Sequence, residues 1–231
     1  MLRLAFVTGT EPGKWFDRFA QRTRHGGIEP RDSDDPMVLL ESGAVDLALV
    51  RLPDARMTER YHRVVLYSEA RGVAVPKESV FAEVGQPVPA VELDGEMVQY
   101  RLPESGEADV AAVRAALQVV AANVGVVIAP RPLLKILSRK QVVPLELLDE
   151  SVPQTSIALV WLKERDGDAI QDFVGIARGR TSNSSRQAAP KRSAREKTKA
   201  KQARRAQDKK NGAPGTRKAP GKRANQRRRK R

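Results

Sequence analysis

Cysteine is absent from the 231 residues, which excludes a disulfide framework, an iron–sulfur cluster and any thiolate zinc site, and fits a reducing compartment. Histidine is scarce as well. His25 and His62 are the only two, and neither has neighbours at the spacing of a metal site or of a serine–histidine relay. No catalytic residue, metal site or cofactor is therefore expected. Long apolar runs are also missing: the longest, over residues 119–130, is broken by Asn123 and falls short of the roughly 18–20 residues that cross a bilayer. The amino-terminal stretch carries one early arginine and an apolar run too short for the centre of a signal peptide. These absences lead us to expect a cytoplasmic protein without a membrane span.

The last absence divides the chain. Residues 181–231 contain no Phe, Trp, Tyr, Leu, Ile or Val, and hold 20 Lys and Arg against 2 acidic residues, Glu196 and Asp208. A segment with no apolar surface and mutually repelling charges cannot offset its ordering entropy. It is expected to be a disordered basic tail. The remaining 180 residues carry 22 basic and 26 acidic side chains, so the formal charge of +14 belongs wholly to the tail.

Residues 1–180 alternate strand and helix signals. Leu2 to Val7 is an apolar strand that runs into the turn Thr8-Gly9-Thr10-Glu11-Pro12-Gly13, and Trp15, Phe16, Phe19 and Ala20 then recur at helical spacing. A short helix at 37–40 closes at Gly43, and a strand follows at 45–52, so the first part reads as a β-α-β unit with a parallel sheet. Strand material recurs at 64–67, 72–75, 124–129, 142–147 and 156–162. Helices are expected at 109–122, with Asp109 as cap, at 133–137 and at 169–177.

Two motifs invite sharper readings and fail. Gly9 to Lys14 has three residues between its glycines where a nucleotide-binding P-loop has four, and Trp15 stands where the magnesium-binding hydroxyl belongs. Asp32, Asp34 and Asp35 lack the glycine turn of a calcium loop and lie between Pro30 and Pro36. They read as a solvated loop. Trp15 and Phe19 read as core.

Four segments, in order, resemble the effector-binding domain of LysR-type transcriptional regulators. They are Leu2-Arg3-Leu4-Ala5-Phe6-Val7 with its turn, residues 39–49 (LLESGAVDLAL), residues 65–69 (VLYSE) and residues 119–130 (VVAANVGVVIAP). The resemblance spans about 180 residues. Two features depart from it: Asn123 stands where the family commonly has glycine, and the sequence starts at the first strand rather than at a helix-turn-helix. The resemblance implies an α/β fold of two Rossmann-like lobes joined by two crossover segments, the type 2 periplasmic-binding-protein arrangement. Lobe I would comprise 1–69 and 155–180, lobe II 70–154, followed by the tail at 181–231.

It also implies a ligand between the lobes. The turn after the first strand offers backbone N–H groups and the Thr8 and Thr10 hydroxyls at a helix amino terminus, with Gly9 permitting close approach, which suits an anion. Arg51 lies just beyond a parallel strand, where ligands of such sheets bind, although pairing with Asp54 is the plainer role for it. Gln99, Arg101 and Ser105 belong to the segment of lobe II that would face the cleft. A small anionic metabolite is the expected ligand, and a homodimer through the effector domain is a further expected partner.

Nucleic acid is the expected partner of the tail, as DNA or RNA without sequence preference, because aromatic stacking and a fixed reading surface are both missing. The cations concerned are Lys191, Arg192, Arg195, Lys197, Lys199, Lys201, Arg204, Arg205, Lys209, Lys210, Arg217, Lys218, Lys222, Arg223, Arg227, Arg228, Arg229, Lys230 and Arg231. An alternative makes the tail the main function, in a nucleoid- or ribosome-associated protein whose globular part self-associates and has lost its ligand. A periplasmic binding protein is disfavoured by the missing signal peptide.

Overall fold

A computed structural model describes residues 1–179. Its strands form two five-stranded sheets. The chain opens with β1 (Leu2–Val7), α1 (Gly13–Arg22), β2 (Ile28–Ser33), α2 (Pro36–Glu41), β3 (Leu47–Leu52) and β4 (Tyr61–Ser68). It continues through β5 (Arg71–Pro76), α3 (Val80–Val84), β6 (Val88–Pro89), β7 (Val98–Arg101), α4 (Val110–Ala121), β8 (Val126–Pro130), α5 (Arg131–Leu137) and β9 (Val142–Leu148). It closes with β10 (Ser156–Leu162) and α6 (Asp168–Ala177). The first sheet has the order β2-β1-β3-β10-β4 and the second β6-β9-β5-β8-β7. The chain passes between them twice, after β4 and before β10.

Within the first sheet β1 is parallel to β2 and β3, whereas β10 is antiparallel to β3 and β4. Every residue of β3 is buried, because helices cover both faces of this central strand. On one face Phe19 of α1 meets Phe173 of α6, ring centres 5.7 Å apart and near-perpendicular, over Leu4, Leu47, Leu49 and Leu159. On the other, Met37 and Leu40 of α2 pack on Ala5, Ala48 and Val50. The helix is started by Asp35, whose carboxylate accepts from the amides of Met37 and Val38, with Pro36 in the first turn where its missing N–H is harmless.

The second sheet packs α4 and α5 on one side through Val113, Leu117, Val120, Leu133 and Leu134. Asp109 caps α4, accepting from the Ala112 amide at 2.9 Å as its sequence position suggests. Asn123, just beyond that helix, has φ +63°, a left-handed conformation that asparagine tolerates better than most residues. Gly125 has less freedom: at φ +68° a Cβ there would lie 2.0 Å from the Met97 carbonyl oxygen. Three strands, β2, β6 and β7, have no counterpart in the sequence reading: β6 and β7 are only two and four residues long, and Pro30, Arg31 and Asp32 give β2 a polar, exposed edge.

Candidate functional site

The carboxyl ends of the parallel strands β1 and β3 open onto a cleft of about 690 Å³. One wall comes from the first sheet: Val7, Asp34, Asp35, Arg51, Asp54 and Arg56. The other comes from the segment leading into α4: Pro103, Ser105, Glu107, Asp109, Val110 and Ala111. Arg51 sits at the base. Its Nε donates to Glu69 Oε2 at 2.7 Å, and its Nη2 donates to Glu69 Oε1 at 3.1 Å and to the Thr8 carbonyl at 3.0 Å. Thr155 donates its hydroxyl to the same carboxylate at 2.8 Å, and Glu69 donates its amide to the Thr155 carbonyl at 2.9 Å. Since Glu69 lies on the first connection between the sheets and Thr155 on the second, this buried cluster ties both to the end of β3. Asp54, the neighbour considered from sequence, pairs instead with Arg56 at 2.7 Å.

The expected binding residues separate. Arg51 and Ser105 line the cleft; Thr8, Gly9, Thr10, Gln99 and Arg101 do not. The Thr8 hydroxyl donates to Asp34 at 2.6 Å and that of Thr10 to the Val7 carbonyl at 2.7 Å, so both are used within the protein. Gly9, at φ +99°, admits the backbone of α5: a Cβ there would meet Leu133 Cα at 3.1 Å and Arg51 Nη2 at 3.0 Å. The close approach anticipated for this glycine is to a helix. Gln99 donates to the Val124 carbonyl at the sheet edge, and Arg101 is held by Asp149 and Ser151, each at 3.0 Å.

The lining holds residues that the sequence reading placed elsewhere. Asp34 and Asp35, taken there for a solvated loop, stand at the cleft together with Asp54, Arg56, Glu107 and Asp109. Asp34 receives Arg114 of α4 at 2.8 and 3.0 Å, a link between the two walls. Partial desolvation opposes ionisation of Asp34, but the hydrogen bonds from Thr8 and Arg114 outweigh it and hold its carboxyl below the usual range. The same balance applies to Asp35, where Arg56 and the amides of α2 prevail over desolvation. Arg56, donating to both Asp54 and Asp35, is held well above its ordinary value. Glu107 accepts from the Ala55 amide across the cleft, and Asp109 accepts from Ala112. Among the described residues neither forms an ion pair.

Five carboxylates and two guanidiniums thus face the space, so the anion-favouring surface expected at the Thr8–Thr10 turn is not what lines it. Among the described residues no cluster could hold a metal ion, and no helix is long and apolar enough to cross a membrane. The tail cations lie outside the described residues.

No curated protein matches the chain in sequence. Solved structures do resemble it. Full-length BenM is 19% identical with a TM-score of 0.58, the alignment covering 77% of this chain and 66% of that one. The BenM effector-binding domain with its effector benzoate is 17% identical, TM-score 0.57, with 77% and 90% covered. CbnR, a LysR family transcriptional regulator, is 15% identical, TM-score 0.58, with 77% and 68% covered. At these identities the likeness is one of fold, and the chain spans about two thirds of the length of the full-length regulators. The LysR substrate binding domain family matches residues 13–182, most of the chain, and with the two-sheet architecture and the cleft between its halves this places the protein in that family.

Proposed function

We propose that residues 1–180 form a non-enzymatic effector-binding domain whose lobes, 1–69 with 155–180 and 70–154, close on a small metabolite, and that residues 181–231 attach it to DNA or RNA. The observation that carries the first half is the cleft at the carboxyl ends of β1 and β3, with Arg51 fixed in its floor. Arg51 Nη1 makes none of the bonds that hold Nε and Nη2. Arg51 is also one of the residues that line the cleft. It is the donor available for the anionic group of a metabolite, with the Ser105 hydroxyl nearby as a second polar contact.

A thermal-shift screen of metabolites on the full chain tests this. At least one compound should raise the melting temperature, and Ala111→Trp, which fills the cleft from an exposed position without touching the core, should abolish the shift. A screen without a cleft-dependent shift would defeat the reading.

The second half rests on composition, 20 cations against 2 anions in 51 residues. If about five to ten of them neutralise phosphates on duplex DNA, log affinity should fall against log salt with a slope of roughly −4 to −9. A chain ending at Arg180 should lose the binding. Retention by the shortened chain would assign the contact to the globular part. The same composition supports the alternative of a nucleoid- or ribosome-associated protein that self-associates through its globular part. That reading, however, gives the open cleft no role. Assembly as a homodimer through the effector domain remains part of the proposal, and sedimentation of the full chain reads it directly.

A further inference from the structure

The charges of the cleft are not equivalent. Arg51 is neutralised by Glu69, Arg56 by Asp35 and Asp54, and Asp34 by Arg114. Glu107 and Asp109, both exposed and both lining the cleft on the α4 side, accept only from backbone amides, those of Ala55 and Ala112. Each uses one oxygen in that contact and leaves the other to the open space. Opposite them Arg51, its side chain only 5% exposed, also lines the cleft, and Nη1 is not among the nitrogens that bond Glu69 and the Thr8 carbonyl. A buried guanidinium at one wall and two carboxylates that pair with no cation among the described residues at the other form a bipolar site.

We infer that the effector is of amino-acid type: an oxygen acceptor, carboxylate or carbonyl, meets Arg51, and a protonated amine, amidine or guanidinium meets Glu107 and Asp109. This rests on the effector-binding reading and narrows it. A plain carboxylate satisfies Arg51 but brings a further negative charge to a lining that already carries five carboxylates against two guanidiniums. An ammonium or guanidinium on the same molecule offsets it. An ionised carboxylate has acceptors only, so the free oxygens of Glu107 and Asp109 call for N–H donors, and cationic donors form the stronger bond.

The test compares matched compounds on the full chain by thermal shift and calorimetry. One set holds amino acids, including lysine, arginine and ornithine. The other holds the carboxylates that lack the amine: valerate, succinate and benzoate. A member of the first set should bind, and its amine-free counterpart should not. Glu107→Gln and Asp109→Asn keep the backbone contacts, since the amide oxygens still accept, and each should weaken binding by about tenfold or more. Binding by carboxylates alone, or affinity unchanged in both variants while Ala111→Trp removes it, overturns the inference and leaves the effector reading standing. If neither set nor the wider metabolite screen gives a shift that Ala111→Trp removes, both are overturned. A shift that survives Ala111→Trp comes from the basic segment and, if it is the only one, also counts against both.

Discussion

The two walls of the cleft are built on opposite principles. On the β3 side every charge has its partner inside the protein, and Arg51, Glu69 and Thr155 form a buried network with short, well-aligned bonds. On the α4 side the carboxylates of Glu107 and Asp109 touch backbone amides and, among the described residues, no cation. The first wall is determined by folding. The second keeps interaction capacity in reserve, and an incoming molecule can use it. Charged residues that line one pocket therefore fall into those that shape it and those that remain available, and pairing rather than position separates them.

The largest effect that would sharpen this contrast is on the β3 side. Arg51→Met strips Glu69 of its partner in a site where the Glu69 side chain is only 1% exposed, and breaking a buried pair from one side costs about 3–5 kcal/mol. Urea denaturation should show a loss of that order. Replacing both Arg51 and Glu69 by methionine should recover most of it, because the cost lies in the stranded charge. Equal losses for the single and double variants would mean that the network itself stabilises the fold.

A smaller effect is expected at the link between the walls. Asp34 and Arg114 are both more than a third exposed, so solvent screening limits Asp34→Asn to about 0.5 kcal/mol. Its pH dependence has a definite sign. The folded-state pKa of Asp34 is depressed, so the stabilisation is complete above the unfolded value of about 4 and is lost as pH falls through the folded value. Asp35 follows the same course. Melting temperature followed from pH 6 to pH 2 should therefore drop mainly below pH 4, and less steeply in Asp34→Asn. A loss already complete at pH 5 would contradict the assignment. The smallest effect belongs to the α4 side: Glu107→Gln and Asp109→Asn should change stability by within about 0.5 kcal/mol, as asparagine serves as well as aspartate at a helix start. A loss of several kcal/mol would show that this wall, too, is structural.

Much of the fold could be read in the residues, for identifiable reasons. The strands β1, β3, β8 and β10 are nearly continuous apolar runs because both of their faces are covered, and α4 announces its start with Asp109. β2 was missed because an exposed edge strand needs little apolar character, and Pro30 argued against it. The site was harder to read. Arg51 lies at the cleft, as its place near the carboxyl end of a parallel strand suggests, but the partner that fixes it is 18 residues further on. The Thr8 hydroxyl finds Asp34 at a separation of 26 residues. Such pairings are created by the sheet and leave no local pattern. Asp109 was visible only as a helix cap, and Glu107 not at all, because the crossover sets them opposite β3.

The tie between Glu69 and Thr155 makes the two connecting segments a single flexure. If a gap between the sheets opens about that point, it separates Glu107 from the Ala55 amide and Arg114 from Asp34 while leaving the Glu69 amide bonded to the Thr155 carbonyl. Amide hydrogen exchange can follow this motion residue by residue: the proton of Ala55 reports each swing, and that of Glu69, at the pivot, stays protected until the whole domain unfolds.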